Sequence, residues 1–445
     1  MLKKISVSVA TSLLLASPAL SQEVPQVAPP VYNCDFQPNC EVAPGIYGKM
    51  GSPVKSKFDL SIGGFVKLDY AYNSSNFGNN GALGALQPGM PKSSSVAAQQ
   101  DQSIFTARQS RIWFKVAGPT FLGAKTGALI EADFYGQGAP SQAANQSATM
   151  RLRLANATLD WANTQVLFGQ AYDIFGPIVG STVDFGSGAN TGAPNNPRVP
   201  QIRVTQKVDL GAGTALKLVA GVQNPVQDSN AQTGTTGDSW GSMVNMAGQA
   251  MLVSNALGVS PGYYGLPMNS LTAGVFGLYG NQDVAGASSR VDNWGYGFYT
   301  FVPVLKSKDG KNRTMTASFE GQAYMAANLN SSGGIGATAG TVTKNFAPAK
   351  GYGLFGQVIF YPTQDLGITA GYGKRNAYNY ASYAGISNFE KSFSQVFANV
   401  AYDLNAAVRV AAEYQNLNTQ YGNNSVGTSD SGHANVGRLA LYYFF

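Results

Sequence analysis

The sequence predicts an all-β protein, a closed antiparallel barrel of sixteen transmembrane strands, and three observations carry that prediction. Charged residues make up 12% of the 445 residues and aromatic residues 11%, whereas a soluble domain carries about 25% charged residues. Beyond the N-terminus no stretch reaches the roughly 20 consecutive apolar residues that a membrane helix needs. Apolar and polar residues instead alternate with period two, again and again from Phe58 to Phe445, which is the pattern of strands with one face toward lipid and one toward water.

The chain opens with Lys3 and Lys4, an apolar run from Ile5 to Ala16, and Ser17-Pro18-Ala19-Leu20-Ser21. Residues 1–21 therefore read as a secretory signal peptide cleaved after Ser21, the run being too short for a membrane anchor. Loss of the two lysines leaves 27 basic and 23 acidic residues, so the net charge falls from +6 to +4. An excess that small does not call for a nucleic-acid partner. Residues 22–57 are Pro-rich and without period, and read as a periplasmic extension. Cys34 and Cys40, the two cysteines of the chain, read as a small disulfide loop in an exported protein. A metal or haem site lacks a CxxCH and a second histidine.

The barrel occupies residues 58–445. In its first strand Phe58, Leu60, Ile62, Val66, Leu68, Tyr70 and Tyr72 share one face, while Lys67 and Asp69 lie on the other. The same template recurs near residues 103–116, 125–136, 150–160, 165–173, 198–208, 214–224, 243–253, 270–280, 292–305, 313–326, 351–361, 366–376, 392–403, 406–417 and 434–445. Long connections rich in Asn, Ser and Gly alternate with short ones, as extracellular loops alternate with periplasmic turns in outer-membrane barrels. The connection from Asn255 to Asn269 is too long for a turn and leaves the count open by two. Sixteen strands with their loops and turns need roughly 370 residues. Residues 58–445 supply 388. The chain closes on Leu439, Leu441, Tyr443 and Phe445 at alternate positions, and Leu441, Tyr443 and Phe445 resemble the assembly signal of Gram-negative outer-membrane barrels.

A charge facing lipid at mid-membrane costs about 2–4 kcal/mol for Arg or Lys, so parity assigns the charged residues to the lumen. Lys67, Arg111, Lys115, Arg151, Arg153, Arg203, Lys207 and Arg409 are the basic ones, and Glu131, Asp133, Glu320 and Glu413 the acidic ones. A row of Arg and Lys favours anions in a pore, although Arg and Glu paired across strands would cancel much of the field. The same parity puts Ser110, Asn156, Thr158 and Arg108 on the exterior of the early strands. Polar groups there suggest contact with another protomer, and a strand bulge that swaps parity at Arg108 is the competing account. No catalytic constellation is present: the single histidine, His433, has no partners for acid–base chemistry. The chain also lacks a GxxxxGK[ST], so no cofactor is expected.

Gly64-Phe65-Val66-Lys67-Leu68-Asp69, Ala107-Arg108-Gln109-Ser110-Arg111, Glu131-Ala132-Asp133-Phe134-Tyr135-Gly136, Arg151-Leu152-Arg153-Leu154 and Leu167-Phe168-Gly169-Gln170 resemble the DcaP-like porins, mainly across residues 60–205. The resemblance implies a homotrimer of sixteen-stranded barrels in which the loop after the fifth strand, residues 172–198, folds into the lumen and narrows it. The apolar flanks of that loop agree, and Asp173, Phe175, Asp184 and Phe185 are its candidate constriction residues. The N-terminal region departs from the family, having two Cys and no heptad pattern. The predicted function is a water-filled diffusion channel for small hydrophilic solutes, with a weak preference for organic anions such as carboxylates. The alternative is a structural barrel that holds partner proteins, such as the sheath of a redox protein.

Overall fold

The computed structural model describes residues 48–49, 58–76, 90–136, 148–178, 180–185, 197–224, 243–283, 290–327, 329, 350–378, 390–422 and 430–445. The signal peptide, most of the Pro-rich extension with Cys34 and Cys40, and the tip of the 172–198 loop lie outside the described residues. Of the extension, Gly48–Lys49 pairs antiparallel with Ile62 and Ser61.

One sheet contains all eighteen described strands; one of them is the Gly48–Lys49 piece and two others are halves of a broken span, which leaves sixteen crossings. In chain order these are β1 (Asp59–Asn73), β2 (Gln102–Thr106 and Arg111–Phe121), β3 (Ala124–Gly136), β4 (Thr149–Asp160), β5 (Thr164–Tyr172), β6 (Arg198–Gly211), β7 (Thr214–Gln223) and β8 (Asn245–Pro261). The second half consists of β9 (Met268–Asp283), β10 (Arg290–Leu305), β11 (Thr316–Ala327), β12 (Lys350–Tyr361), β13 (Leu366–Ala377), β14 (Glu390–Asp403), β15 (Val408–Tyr421) and β16 (Ser431–Phe444). Each strand pairs antiparallel with the next, and β16 returns to β1 through Leu441↔Leu68 and Phe444↔Phe65. Phe445 completes the seam, its N–H donating to Gly64 O (3.1 Å) and its O accepting from Gly64 N (3.0 Å). A closed ladder leaves no edge, the condition for a sheet to cross hydrocarbon.

Alternation sorts the side chains. Val66, Leu68 and Tyr72 on β1, Val396 and Val400 on β14, and Leu439, Leu441 and Tyr443 on β16 are exposed, whereas Phe65, Lys67, Asp69 and Ala71 between the first set are buried. The exposed apolar set is the outer wall. Tight turns join strands at the end where the chain enters and leaves. At the β2–β3 turn Phe121 pairs with Ala124, and both intervening residues, Leu122 (φ 50°) and Gly123 (φ 80°), are left-handed, as a two-residue type I′ hairpin requires.

The long connection expected at 255–269 resolves into strand. β8 and β9 pair up to Ser254↔Leu271, bulge by residues 255–258, and pair again from Val259↔Ser270 to Pro261↔Met268. Only residues 262–267 remain as a turn, and the count stays at sixteen.

Candidate functional site

Two bulges decide which polar residues reach the lumen. Along β1 and β2, Asp69 pairs with Thr106 and Phe65 with Arg111, so β2 holds one more residue than the strand opposite. Ladder hydrogen bonding fails at Ala107–Ser110 and the Ser110 hydroxyl replaces it, accepting from Lys67 N (2.9 Å) and donating to Lys67 O (3.3 Å). On β4, Leu154 pairs with Glu131 and Leu152 with Ala132, so Arg153 is the extra residue and parity inverts after it. Ser110, Asn156, Thr158 and Arg108 are therefore all buried. Their assignment to the exterior is corrected, and the bulge account of Arg108 holds: its guanidinium lies 4.4 Å from the Tyr135 ring. Asn156 donates to Gln170 O (3.0 Å) and Thr158 to Asp160 (2.8 Å).

Arg111, Arg151, Arg153, Glu131 and Asp133 on β2–β4 form one cluster. Arg151 grips Asp133 through two bonds of 3.0 and 2.6 Å. Arg153 reaches Glu131 (2.5 Å), Asp133 (3.0 Å) and the Tyr172 hydroxyl (2.7 Å). Arg111 stands opposite Asp133, with its guanidinium 5.6 Å from the Phe65 ring and 4.6 Å from that of Phe185. Arg203 is buried on β6 opposite Leu167, and Lys115 sits half-buried opposite Leu129. Toward the tight-turn end Lys207 is exposed and lies opposite Lys217, a second lysine that charge counting along the strands passed over.

From Asp173 onward the chain runs against inward-facing side chains of one strand after another. Ile174 N donates to Gln223 on β7 (3.0 Å), and its O accepts from Gln249 on β8 (2.5 Å). Phe175 meets Phe276 and Tyr324 edge-on at 5.0 and 6.0 Å. Ile178 O accepts from Gln322 on β11 (2.6 Å), Ser181 N donates to Gln357 on β12 (2.9 Å) and Ser181 O accepts from Asn399 on β14 (2.6 Å). Val183 N donates to Glu413 on β15 (2.6 Å), and Val183 O accepts from Lys67 on β1 (2.6 Å). Asp184 pairs with Arg438 on β16 (3.0 Å), and its O accepts from Gln109 (2.6 Å). Phe185 ends the described stretch with its ring 4.4 Å from Lys67 Nζ.

Asp173, Phe175, Asp184 and Phe185 are thus all buried. The wall amides Gln223, Gln249, Gln322, Gln357 and Asn399, which satisfy the backbone of this segment, were not among the sequence candidates. Their signal was present, since each sits at an inward position of its strand, Gln357 between Gly356 and Val358 and Asn399 between Ala398 and Val400. Lys67 is 0% exposed, bonded to Gln109, Val183 O and Asp69 (2.7 Å). Arg409 pairs with Asp403 (2.5 Å), Glu413 with Arg438 (3.7 Å), and Glu320 accepts from Gln357. Asp69, Arg438 and the Arg375–Glu390 pair (2.5 Å) also face inward without having been singled out. Leu441, Tyr443 and Phe445 face outward, and His433 is exposed.

Comparison with protein-family models and with curated proteins gives no match. Solved structures do match. The outer-membrane channel DcaP of Acinetobacter baumannii superposes at a TM-score of 0.63 with 20% identity, over 89% of this chain and 99% of that one. The anion-selective porin of Comamonas acidovorans gives 0.52 with 11% identity, over 87% and 100%, and OprB of Pseudomonas putida 0.51 with 11% identity, over 87% and 94%. At such identities the likeness concerns the fold, and it agrees with the resemblance read from residues 60–205. The chain has the fold of the outer-membrane porins, a closed sixteen-stranded antiparallel barrel like that of DcaP.

Proposed function

We propose that the protein is a passive diffusion channel of the Gram-negative outer membrane, exported by its signal peptide, which admits small hydrophilic solutes with a weak preference for organic anions. The observation that carries this reading is the contrast of the two faces: an apolar outer wall around an interior in which Arg111, Lys115, Arg151, Arg153 and Arg203 on β2–β6 outnumber Glu131 and Asp133. Such a row inside a low-dielectric wall focuses positive potential and concentrates anions. Its pairing with Glu131 and Asp133 keeps the preference modest. Residues 173–185, tied to β7, β8, β11, β12, β14–β16 and β1, act as the constriction.

A homotrimer belongs to the same proposal. Ser110, Asn156 and Thr158 no longer support it. Outward polar side chains also occur on β15 and β16, where Asn435 accepts from Tyr414 (2.7 Å) and Asn416 (2.9 Å), beside the β1 seam.

The test is the purified protein in a planar bilayer under a salt gradient. A stepwise conductance with a reversal potential displaced toward anions is expected. Deleting residues 176–186 raises the conductance and the solute cut-off. A protein that inserts and passes no current refutes the channel and favours the scaffold reading; an unchanged conductance in the deletion refutes the constriction.

A further inference from the structure

The β8–β9 turn, residues 262–267, folds away from the rim. Tyr264 (φ 51°) and Gly265 (φ 81°) are both left-handed, and the turn is closed by Gly262 N donating to Pro267 O (2.9 Å) and Gly265 N to Gly262 O (2.9 Å). A Cβ added at Gly265 would meet the Tyr361 hydroxyl and Arg313 Nη1, so the turn is packed against side chains of β12 and of the β10–β11 turn. Tyr264 is nonetheless buried, and its ring meets Phe185 edge-on with centroids 5.9 Å apart at 86°.

Phe185 is lodged on the other side of the barrel. Its ring packs on Phe65 of β1 (5.8 Å) and Tyr442 of β16 (6.3 Å), under the Arg111 guanidinium of β2. In the cyclic order of the sheet, β8 and β9 stand half a circuit from β16 and β1. A side chain tethered to one wall therefore touches a side chain seated on the opposite wall. One apolar cluster holds Tyr264 and Phe185 together with Leu129 and Leu154 from one flank and Ala411 from the other, as a contact that crosses the bore requires.

We propose that the Phe185–Tyr264 pair is a transverse bar across the lower lumen, which makes the β8–β9 turn a second constriction element that enters from the periplasmic end and sets the solute size limit jointly with the long loop. The proposal rests on the channel reading. Tyr264 is held by its own turn, whereas Phe185 is carried by the long loop and seated on Phe65 and Tyr442, so the bar joins the turn to the loop and closes the passage while the loop stays seated on β1 and β16. The polar groups of β2–β6 then border the passage on one side of the bar, and Asp403, Arg409 and Glu413 on the other.

Unit conductance and the exclusion limit for neutral sugars, measured on full-length protein whose folding is verified by heat-modifiable electrophoresis, test the bar. Tyr264→Ala raises conductance about 1.5-fold or more because cross-section limits flow, Tyr264→Phe conducts as the wild type, and Tyr264→Trp conducts less. Phe185→Ala combined with Tyr264→Ala conducts no more than the larger single change, since a bar broken at either end is already open. If Tyr264→Ala fails to assemble, Tyr264→Trp decides. A conducting wild type whose Tyr264→Ala and Tyr264→Trp variants conduct like it overturns the bar alone; a wild type that passes no current overturns the channel reading itself.

Discussion

Arg153 shows how much a single side chain does in a crowded lumen. It binds Glu131, Asp133 and the Tyr172 hydroxyl, while Arg151 takes the other edge of Asp133. The two arginines and two carboxylates sum to zero charge, so the field here comes from Arg111, Lys115 and Arg203 around a neutral group. Replacing Arg151 and Arg153 with Gln exposes two carboxylates and turns the neutral group into an acidic one. The reversal potential is then expected to move toward cations at low ionic strength, and to return nearly to the wild-type value when Glu131→Gln and Asp133→Asn are added. Screening to about 3 Å at 1 M salt erases the difference. A double variant with the wild-type reversal potential removes these arginines from selectivity. Lys67 is the other residue of this kind. Its ammonium, buried among Gln109, Val183 O and Asp69, ties β1, the β2 break and the long loop together, and truncating one partner of such a buried pair costs roughly 3–5 kcal/mol.

At the scale of an element, side chains repeatedly substitute for backbone. Ser110 replaces a ladder bond at the β2 break, and amides from five strands bond the backbone of Ile174, Ile178 and Ser181. The β10–β11 turn uses a carboxylate in the same way. Asp309 accepts from Asn312 N (2.6 Å), Lys311 N (2.8 Å) and Ser307 Oγ (3.2 Å). The backbone bonds from Asn312 and Lys311 hold its carboxyl below the ordinary aspartate range. Because the folded value lies below the unfolded one, about 3.9, the stabilisation is complete above that pH and is lost as pH falls through the folded value. Hydrogen exchange comparing the wild type with Asp309→Ala checks this. The Lys311 and Asn312 amides are expected to exchange faster in the variant at neutral pH, with the two proteins converging in acid. A ratio that does not change with pH excludes the carboxylate from the turn.

For the whole molecule, closure is the dominant fact. Phe445 contributes two backbone bonds to Gly64 and an outward ring beyond the apolar column of Leu439, Leu441 and Tyr443. Deleting Phe445 is expected to lower the assembled fraction sharply, read as loss of the heat-labile species on native electrophoresis; the intact protein migrates there at about three times its mature mass if the proposed trimer forms. Phe445→Tyr, which keeps the backbone bonds and an aromatic ring, assembles normally. A deletion variant that assembles as the wild type does withdraws the terminal residue from the assembly signal.

The sequence by itself determined the fold class, the strand number to within two and the facing of charges wherever a strand is regular, because period-two alternation is a local property and lipid tolerates only one outcome for each face. Lys67, Asp133, Glu413 and Arg409 are inward for that reason, and Leu441 and Tyr443 outward. Only the tertiary structure decided the rest. A single extra residue at the β2 break and another at Arg153 reverse parity downstream, and these reversals carried Ser110, Asn156 and Thr158 inside, contrary to simple alternation. The residues 255–258 were absorbed as a bulge because β9 supplied pairing partners on both sides of them. The meeting of Phe185 with Tyr264 depends on curvature around the full circle: two residues 79 positions apart in the chain become neighbours when sixteen strands close, and nothing local to either marks the other as its partner.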